Sequence, residues 1–243
     1  MRGEDVAVDL RRSAALDAVL IVLTMSTGVV EAVSLLALGH VFTAMMTGNM
    51  LFLAFGLAGG PGLSVAASSV SLAGFAAGTL AGSVLETRVA AHRSRWFVTG
   101  LAVEGVLLGV AGLAAGGIGA IGTPLSGRHY GVIALIALAM GLRSVTTLRA
   151  KVAELPTTLT TRALTSLVGD LAPGTAAGRS GSRPLRVAGI LAMFVGGILG
   201  AWMLTAGWRP QIPLLIAAAV ALAGAAAYSR VPRVHPPEQR PAG

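Results

Sequence analysis

Cysteine is absent from the 243 residues, which excludes disulfides, thiolate metal sites and a cysteine nucleophile. Charge is almost as scarce: Asp, Glu, Lys and Arg make up 12% of the chain, against 54% hydrophobic residues. A soluble domain needs about twice that charged share to cover its surface, so a water-facing globular fold is excluded as well. No P-loop, nucleophile elbow or specific Ser/His/Asp arrangement occurs, and His40 has no partner at metal-ligand spacing. The chain is therefore expected to be no enzyme and to carry no metal or cofactor.

What is present instead is long apolar runs, 33 glycines and a mean hydropathy of +0.79. This is the composition of a polytopic membrane protein whose helices pack closely in lipid. The net charge of +8 does not point to nucleic acid, because the arginines lie between apolar segments rather than on one basic face. Met1 to Arg12 is a charged leader followed by an apolar stretch without a small-residue cleavage site, so the first span reads as uncleaved.

Six segments approach the ~20 helical residues that cross a hydrocarbon core. They are Leu16–Leu38, Ser64–Leu85, Trp96–Ala115, Tyr130–Leu148, Leu185–Leu204 and Ile212–Ser229. Two further apolar segments, Val41–Gly59 and Pro156–Ala172, are tested by charge. With six crossings and both termini cytoplasmic, only Arg128 and Arg209 fall outside; a crossing by Val41–Gly59 would carry Arg88, Arg93 and Arg95 out too. The positive-inside tendency favours six spans in an inner membrane, with the two extra segments re-entrant or broken continuations of the preceding helix. The expected fold is all-α: a transmembrane helical bundle of six spans with two broken or re-entrant segments. Residues 1–15 form a cytoplasmic leader, 16–115 a first three-span repeat, 116–129 an outer loop, 130–230 a second repeat and 231–243 a disordered cytoplasmic tail.

The repeat rests on a duplication. Setting Gly28 on Gly141 aligns two helices, and one extra residue then lays Phe42-Thr-Ala-Met-Met-Thr47 on Pro156-Thr-Thr-Leu-Thr-Thr161. Leu72-Ala-Gly-Phe-Ala-Ala-Gly78 similarly resembles Leu191-Ala-Met-Phe-Val-Gly-Gly197. Three crossings per half make the halves antiparallel, an inverted 3+3 repeat. Polar helix breaks at corresponding positions of such halves mark substrate or ion pathways in transporters.

The stretch Gly28-Val-Val-Glu-Ala-Val-Ser-Leu-Leu-Ala-Leu-Gly-His-Val-Phe-Thr-Ala-Met-Met-Thr-Gly-Asn49 resembles the signature of the YoaK family of bacterial membrane proteins, catalogued as a domain of unknown function. Ala137-Leu-Ala-Met-Gly-Leu-Arg-Ser-Val145 and Leu155-Pro-Thr-Thr-Leu-Thr-Thr161 resemble that family's second region. The resemblance covers Leu16 to Arg230 and implies an integral membrane protein of about six spans, with no established substrate. Against the family's usual pattern, Glu31 stands for Asp, Met45 for Asn, Arg143-Ser144 for Gln-Asn and Arg162 for Gly.

Four sets of residues are candidates for chemistry. Glu31 lies in the first span, where an ionisable group is costly unless neutralised, paired or hydrated. It reads either as a titratable pathway group or as a neutral acid bonded to a neighbouring carbonyl. Glu104 and Arg143 lie at compatible depths for a buried pair, serving as glue, gate or proton path, unless Arg143 snorkels toward Asp17. Thr43, Thr47, Gly48 and Asn49 at the first break, with Thr157, Thr158, Thr160 and Thr161 at the second, either line a path or cap broken helix ends. His40 reads as a proton-sensing gate or a hydrated interfacial side chain. Gly74, Gly78 and Gly82 form one small-residue row and Ala192, Gly196 and Gly200 another, packing within the chain or across a homodimer.

The function expected is a small-solute or ion transporter or channel, acting on a small polar or anionic solute at a midplane site between the two breaks. The alternative is a non-transporting scaffold or accessory subunit. A lipid-modifying enzyme has neither a nucleophile–base pair nor a metal cluster to recommend it.

Overall fold

In lipid, backbone N–H and C=O groups find no water, so long runs of Leu, Ala, Val and Gly can satisfy them only as helix. The computed structural model describes residues 3–89, 95–119, 121–149 and 183–230, and these hold seven α-helices and no strand. In chain order they are α1 (Gly3–Ala37), α2 (Met46–Leu57), α3 (Val65–Val89), α4 (Arg95–Ala114), α5 (Gly127–Arg149), α6 (Arg183–Thr205) and α7 (Gln211–Ser229). All but α2 contain a stretch long and apolar enough to cross a bilayer, giving six candidate spans. The protein is a multi-pass helical membrane protein. α1 begins at Gly3, inside the charged leader, and α5 begins at Gly127, about one turn before the expected Tyr130.

The segment between α1 and α2 is the first polar break. Gly39 and His40 both have positive φ, 116° and 57°, a left-handed pair that ends α1. His40, carrying a Cβ there, is strained by about 1 kcal/mol or more and exposed. α2 has 12 residues, roughly 18 Å of helix against a hydrocarbon core of about 30 Å. It lies against α3, joined to it by a short turn.

Packing follows the small residues. The main helix pairs are α3 with α5, α1 with α6 and α4 with α7. In the α1–α6 pair, a Cβ on Gly28 would strike the Met193 carbonyl and the Gly197 nitrogen, one on Gly196 the Met25 carbonyl, and one on Gly200 Val29 and Ala32. In the α3–α5 pair, Gly141 meets Phe75 and Thr79 in the same way, Gly78 meets the Leu138 carbonyl, and Gly82 meets Leu142 and Val145. Each contact in one pair has its counterpart in the other. Backbones in van der Waals contact leave no room for side chains, which is why glycine occupies these positions.

These contacts also give direction. α1 and α6 run parallel, as do α3 and α5. α4 runs opposite to α7, with Gly105 on Leu222 but Gly112 on Leu215, and opposite to α5, with Gly100 on Thr146 but Glu104 on Arg143. Arg88, Arg95, Arg149, Arg186 and Arg230 consequently gather at one end of the bundle, and Arg128 and Arg209 at the other.

Two apolar clusters fill the interior. One joins Val30, Val33, Leu38 and Val41 to Leu108, Ile136, Met140, Leu214 and Ala218. The other joins Leu20 and Leu23 to Phe97, Leu101, Ala221 and Ala225 at the basic end. Between them lie Thr27 along α1 and Glu104 along α4, and Arg143, one turn past Met140 on α5, reaches both; all three are buried. A polar layer therefore lies between the two apolar clusters along α1 and α4.

Candidate functional site

The break would leave the backbone N–H groups of residues 42 to 44 unpaired inside the protein, and buried side chains receive them. The Glu31 carboxylate Oε1 accepts from Thr43 N at 3.0 Å, Thr43 Oγ1 at 2.9 Å and Ala44 N at 2.6 Å. Oε2 accepts only a longer bond from Thr43 N, at 3.3 Å. Asn49 serves the other side of the loop: its Oδ1 accepts from Phe42 N at 2.9 Å, while its Nδ2 donates to the Phe42 carbonyl and, at 2.9 Å, to Ser71 Oγ. Ser71 Oγ in turn donates to the Phe42 carbonyl at 2.6 Å. The Phe42 ring stacks on Phe52 and lies where a Cβ on Gly48 would come to within 2.7 Å, so Gly48 is required by that ring.

Glu31, Thr43 and Asn49 are thus one buried knot tying α1, the break, α2 and α3 together. Asn49→Ala orphans the Phe42 N–H, since Ser71 can replace only the donor half of the lost amide. The expected cost is about 1–3 kcal/mol, read as a lowered melting temperature of the detergent-purified protein. An unchanged melting temperature would show that the amide holds nothing together.

The second knot is the polar layer. The Arg143 guanidinium donates through Nη1 to the Leu23 carbonyl at 2.9 Å and to Thr27 Oγ1, and through Nη2 to Glu104 Oε1. Its pair with Glu104 links α5 to α4, and its other bonds reach α1. Arg143 does not extend to the bundle end near Asp17. Two atoms of this knot, Arg143 Nε and Glu104 Oε2, are buried without a hydrogen-bond partner among the described residues. Thr27 lies one turn before Glu31 on the same face of α1, about 6 Å along the axis. Thr24, Thr27, Glu31 and Ser34 make a buried polar stripe there.

Thr47 is not part of either knot. It is exposed in the first turn of α2, because a residue two places before Asn49 faces another side of a helix. Thr157, Thr158, Thr160, Thr161 and Arg162 lie outside the described residues. Two participants escaped the sequence reading. Ser71 was one serine among several in α3 and carried no distinguishing signal. Thr27 stood in plain view at i−4 from Glu31, a spacing that places the two on one face.

The profile of the family described as "Protein of unknown function (DUF1275)" matches residues 19–227, which reaches into every candidate span and takes in both knots. A curated relative, the UPF0700 transmembrane protein YoaK of Bacillus subtilis (strain 168), is 28% identical over 152 residues. That match covers 61% of this chain and 64% of the relative, just under two thirds of its length. No solved structure matches. With the family match running from the second turn of the first span to the end of the last, the chain belongs to the DUF1275 family and is an integral membrane protein of the YoaK type.

Proposed function

We propose that this protein is a small-solute or ion transporter or channel of the bacterial inner membrane. The observation that carries the reading is the layer of Thr27, Glu104 and Arg143 held between two apolar clusters. Ionisable groups at that depth are expensive, and a bundle that needed only to pack would gain stability from apolar residues in their place. The clusters on either side act as two closed gates, making the structure an occluded state. From the outer gate, the path runs along the Thr43–Glu31–Thr27 face of α1 to Arg143 and Glu104.

In this reading the halves form an inverted repeat. The matched contacts of α1–α6 and α3–α5 support it, as does the opposite direction of α1 and α5. They favour a register in which Gly78 corresponds to Gly196, one residue from the likeness visible in the sequence. Alternating access is then a rocking of α1–α6 against α3–α5 about the α4–α7 crossing. α2, short and lying along α3, does not traverse the bilayer; α1 and α3 run in opposite directions, as six crossings require. The arginine-rich end faces the cytoplasm, with both termini, by the positive-inside tendency. The protein performs no covalent chemistry.

Liposome flux of candidate solutes under an imposed pH gradient tests this. Glu31→Gln keeps an acceptor at the position of Oε1 and so keeps the loop, but removes the titrating group. The expected result is a folded protein whose pH-driven flux is slowed, because Glu31 stands on the route between the outer gate and the polar layer. Wild-type flux in the variant removes Glu31 from the route. No flux of any solute by the wild type, with a stoichiometric partner co-purifying, supports the scaffold reading instead.

A further inference from the structure

We propose that Arg143 is the binding site for a small monovalent anion and that Glu104 is its built-in stand-in, displaced when it takes a proton. The inference rests on the transport reading above and names the class of solute.

A guanidinium presents two N–H donors along its Nε–Nη2 edge, which a carboxylate ordinarily grips with both oxygens. Here Glu104 uses one oxygen on Nη2, leaving its own Oε2 and the arginine's Nε without a partner among the described residues. Arg143 is 4% exposed and Glu104 0%, so both idle atoms lie away from the protein surface. Each such atom costs free energy in a structural pair, and a pair kept for stability alone would be fully engaged. The edge of Arg143 is only half used.

Nη1 is separately fixed by the Leu23 carbonyl and Thr27 Oγ1, so the guanidinium stays in place when Glu104 leaves it. The charge balance then dictates stoichiometry. Ionised Glu104 and Arg143 sum to zero. If Glu104 gains one proton and releases Nη2, one monovalent anion on the Nε–Nη2 edge restores zero. A proton and an anion therefore enter together, an electroneutral one-to-one symport in which no bond but the O–H of Glu104 is made. A double charge is not compensated, so the class of ion is a small monovalent anion such as chloride, nitrate or formate.

Other groups around Glu104 do not substitute for it. α7 has no charged residue between Gln211 and Ser229, only Tyr228 against Phe97 at its end. α5 otherwise carries Arg128 and His129 at one end and Arg149 at the other, α3 has Glu86 and Arg88 in its last turns, and α1 offers Glu31 beyond Thr27 and Asp17 toward the basic end.

The test uses the full chain and has two readouts. In liposomes loaded with a pH dye, an inward chloride or nitrate gradient through the wild type is expected to acidify the lumen without a counter-ion pathway. Glu104→Gln is expected to lose that acidification and to pass chloride only when potassium and valinomycin supply compensating charge. In detergent, Glu104→Gln leaves Arg143 uncompensated. Its melting temperature is therefore expected to rise with chloride or nitrate but not with gluconate of equal ionic strength, and the rise should vanish in Glu104→Gln/Arg143→Gln. Should the single variant fail to fold without salt, recovery in chloride and not in gluconate supports the site; recovery in neither overturns it. Acidification by Glu104→Gln equal to wild type also overturns it. Flux of a cation or neutral solute, unaffected by Glu104→Gln, overturns the anion site while leaving the transport reading intact; absence of all flux removes both.

Discussion

Arg143→Leu is expected to abolish accumulation of folded protein in the membrane, or to lower its stability in detergent by about 3–5 kcal/mol, the usual cost of leaving one member of a buried ion pair alone. Glu104 is wholly buried, its neighbours on α4 are apolar, and among the described residues Arg143 is its hydrogen-bond donor. Thr27 Oγ1 loses the donor it accepts from at the same time, while the Leu23 carbonyl keeps the Thr27 hydroxyl. The loss does not reflect a pair that is itself strongly stabilising. Arg143→Leu combined with Glu104→Leu is expected to regain most of the stability, because two well-packed apolar residues replace a buried pair at little cost. Size-exclusion profiles and thermal melts of the two singles and the double form the measurement. A single variant as stable as wild type would mean that the polar layer is wet and screened, and the occluded reading would fall with it.

The second large effect lies in the helix crossings. Gly78→Val and Gly196→Val are each expected to cost about 3 kcal/mol, the upper end of overpacking, because the added Cβ meets a carbonyl oxygen rather than a movable side chain. Backbone cannot rotate aside, so α3 must separate from α5, or α1 from α6, along the whole contact. The two costs are expected to agree, since Gly78 on Leu138 and Gly196 on Met25 are matched contacts. Gly197 is the internal control. It adjoins Gly196, yet a Cβ there meets nothing within 4 Å. Gly197→Ala is therefore expected to leave stability unchanged or raise it by about 0.5–1 kcal/mol through helix propensity. Equal damage from Gly196→Val and Gly197→Ala would refute the crossing geometry.

Much of this architecture is legible in the residues because lipid simplifies the code. A bilayer demands about 20 apolar residues per crossing, and Arg88, Arg128 and Arg209 punctuate the chain where crossings end. The break was visible too, as Thr43 and Asn49 interrupting an apolar run. The arrangement inside it was not. That Glu31 turns its carboxylate onto Thr43 and Ala44 depends on where the left-handed turn at Gly39 and His40 sends the chain, a three-dimensional outcome with no periodic signature. Thr47 illustrates the same limit, since a helix start one residue away changes which side chain faces inward. The register between α3 and α6 is a different problem. Rows of Gly and Ala align almost equally well at neighbouring offsets, and only the carbonyl against which each glycine rests distinguishes them.

The first of the first three spans packs on the second of the last three, and the second of the first three on the first of the last three. During synthesis α1 therefore emerges from the ribosome long before α6, and its Gly28 face must wait in the bilayer against lipid or a chaperone until the partner is translated. The fold is interlaced, so neither half is a self-sufficient unit. Coexpressed as two fragments cut in the loop before α5, the halves should depend on each other for survival against membrane proteolysis.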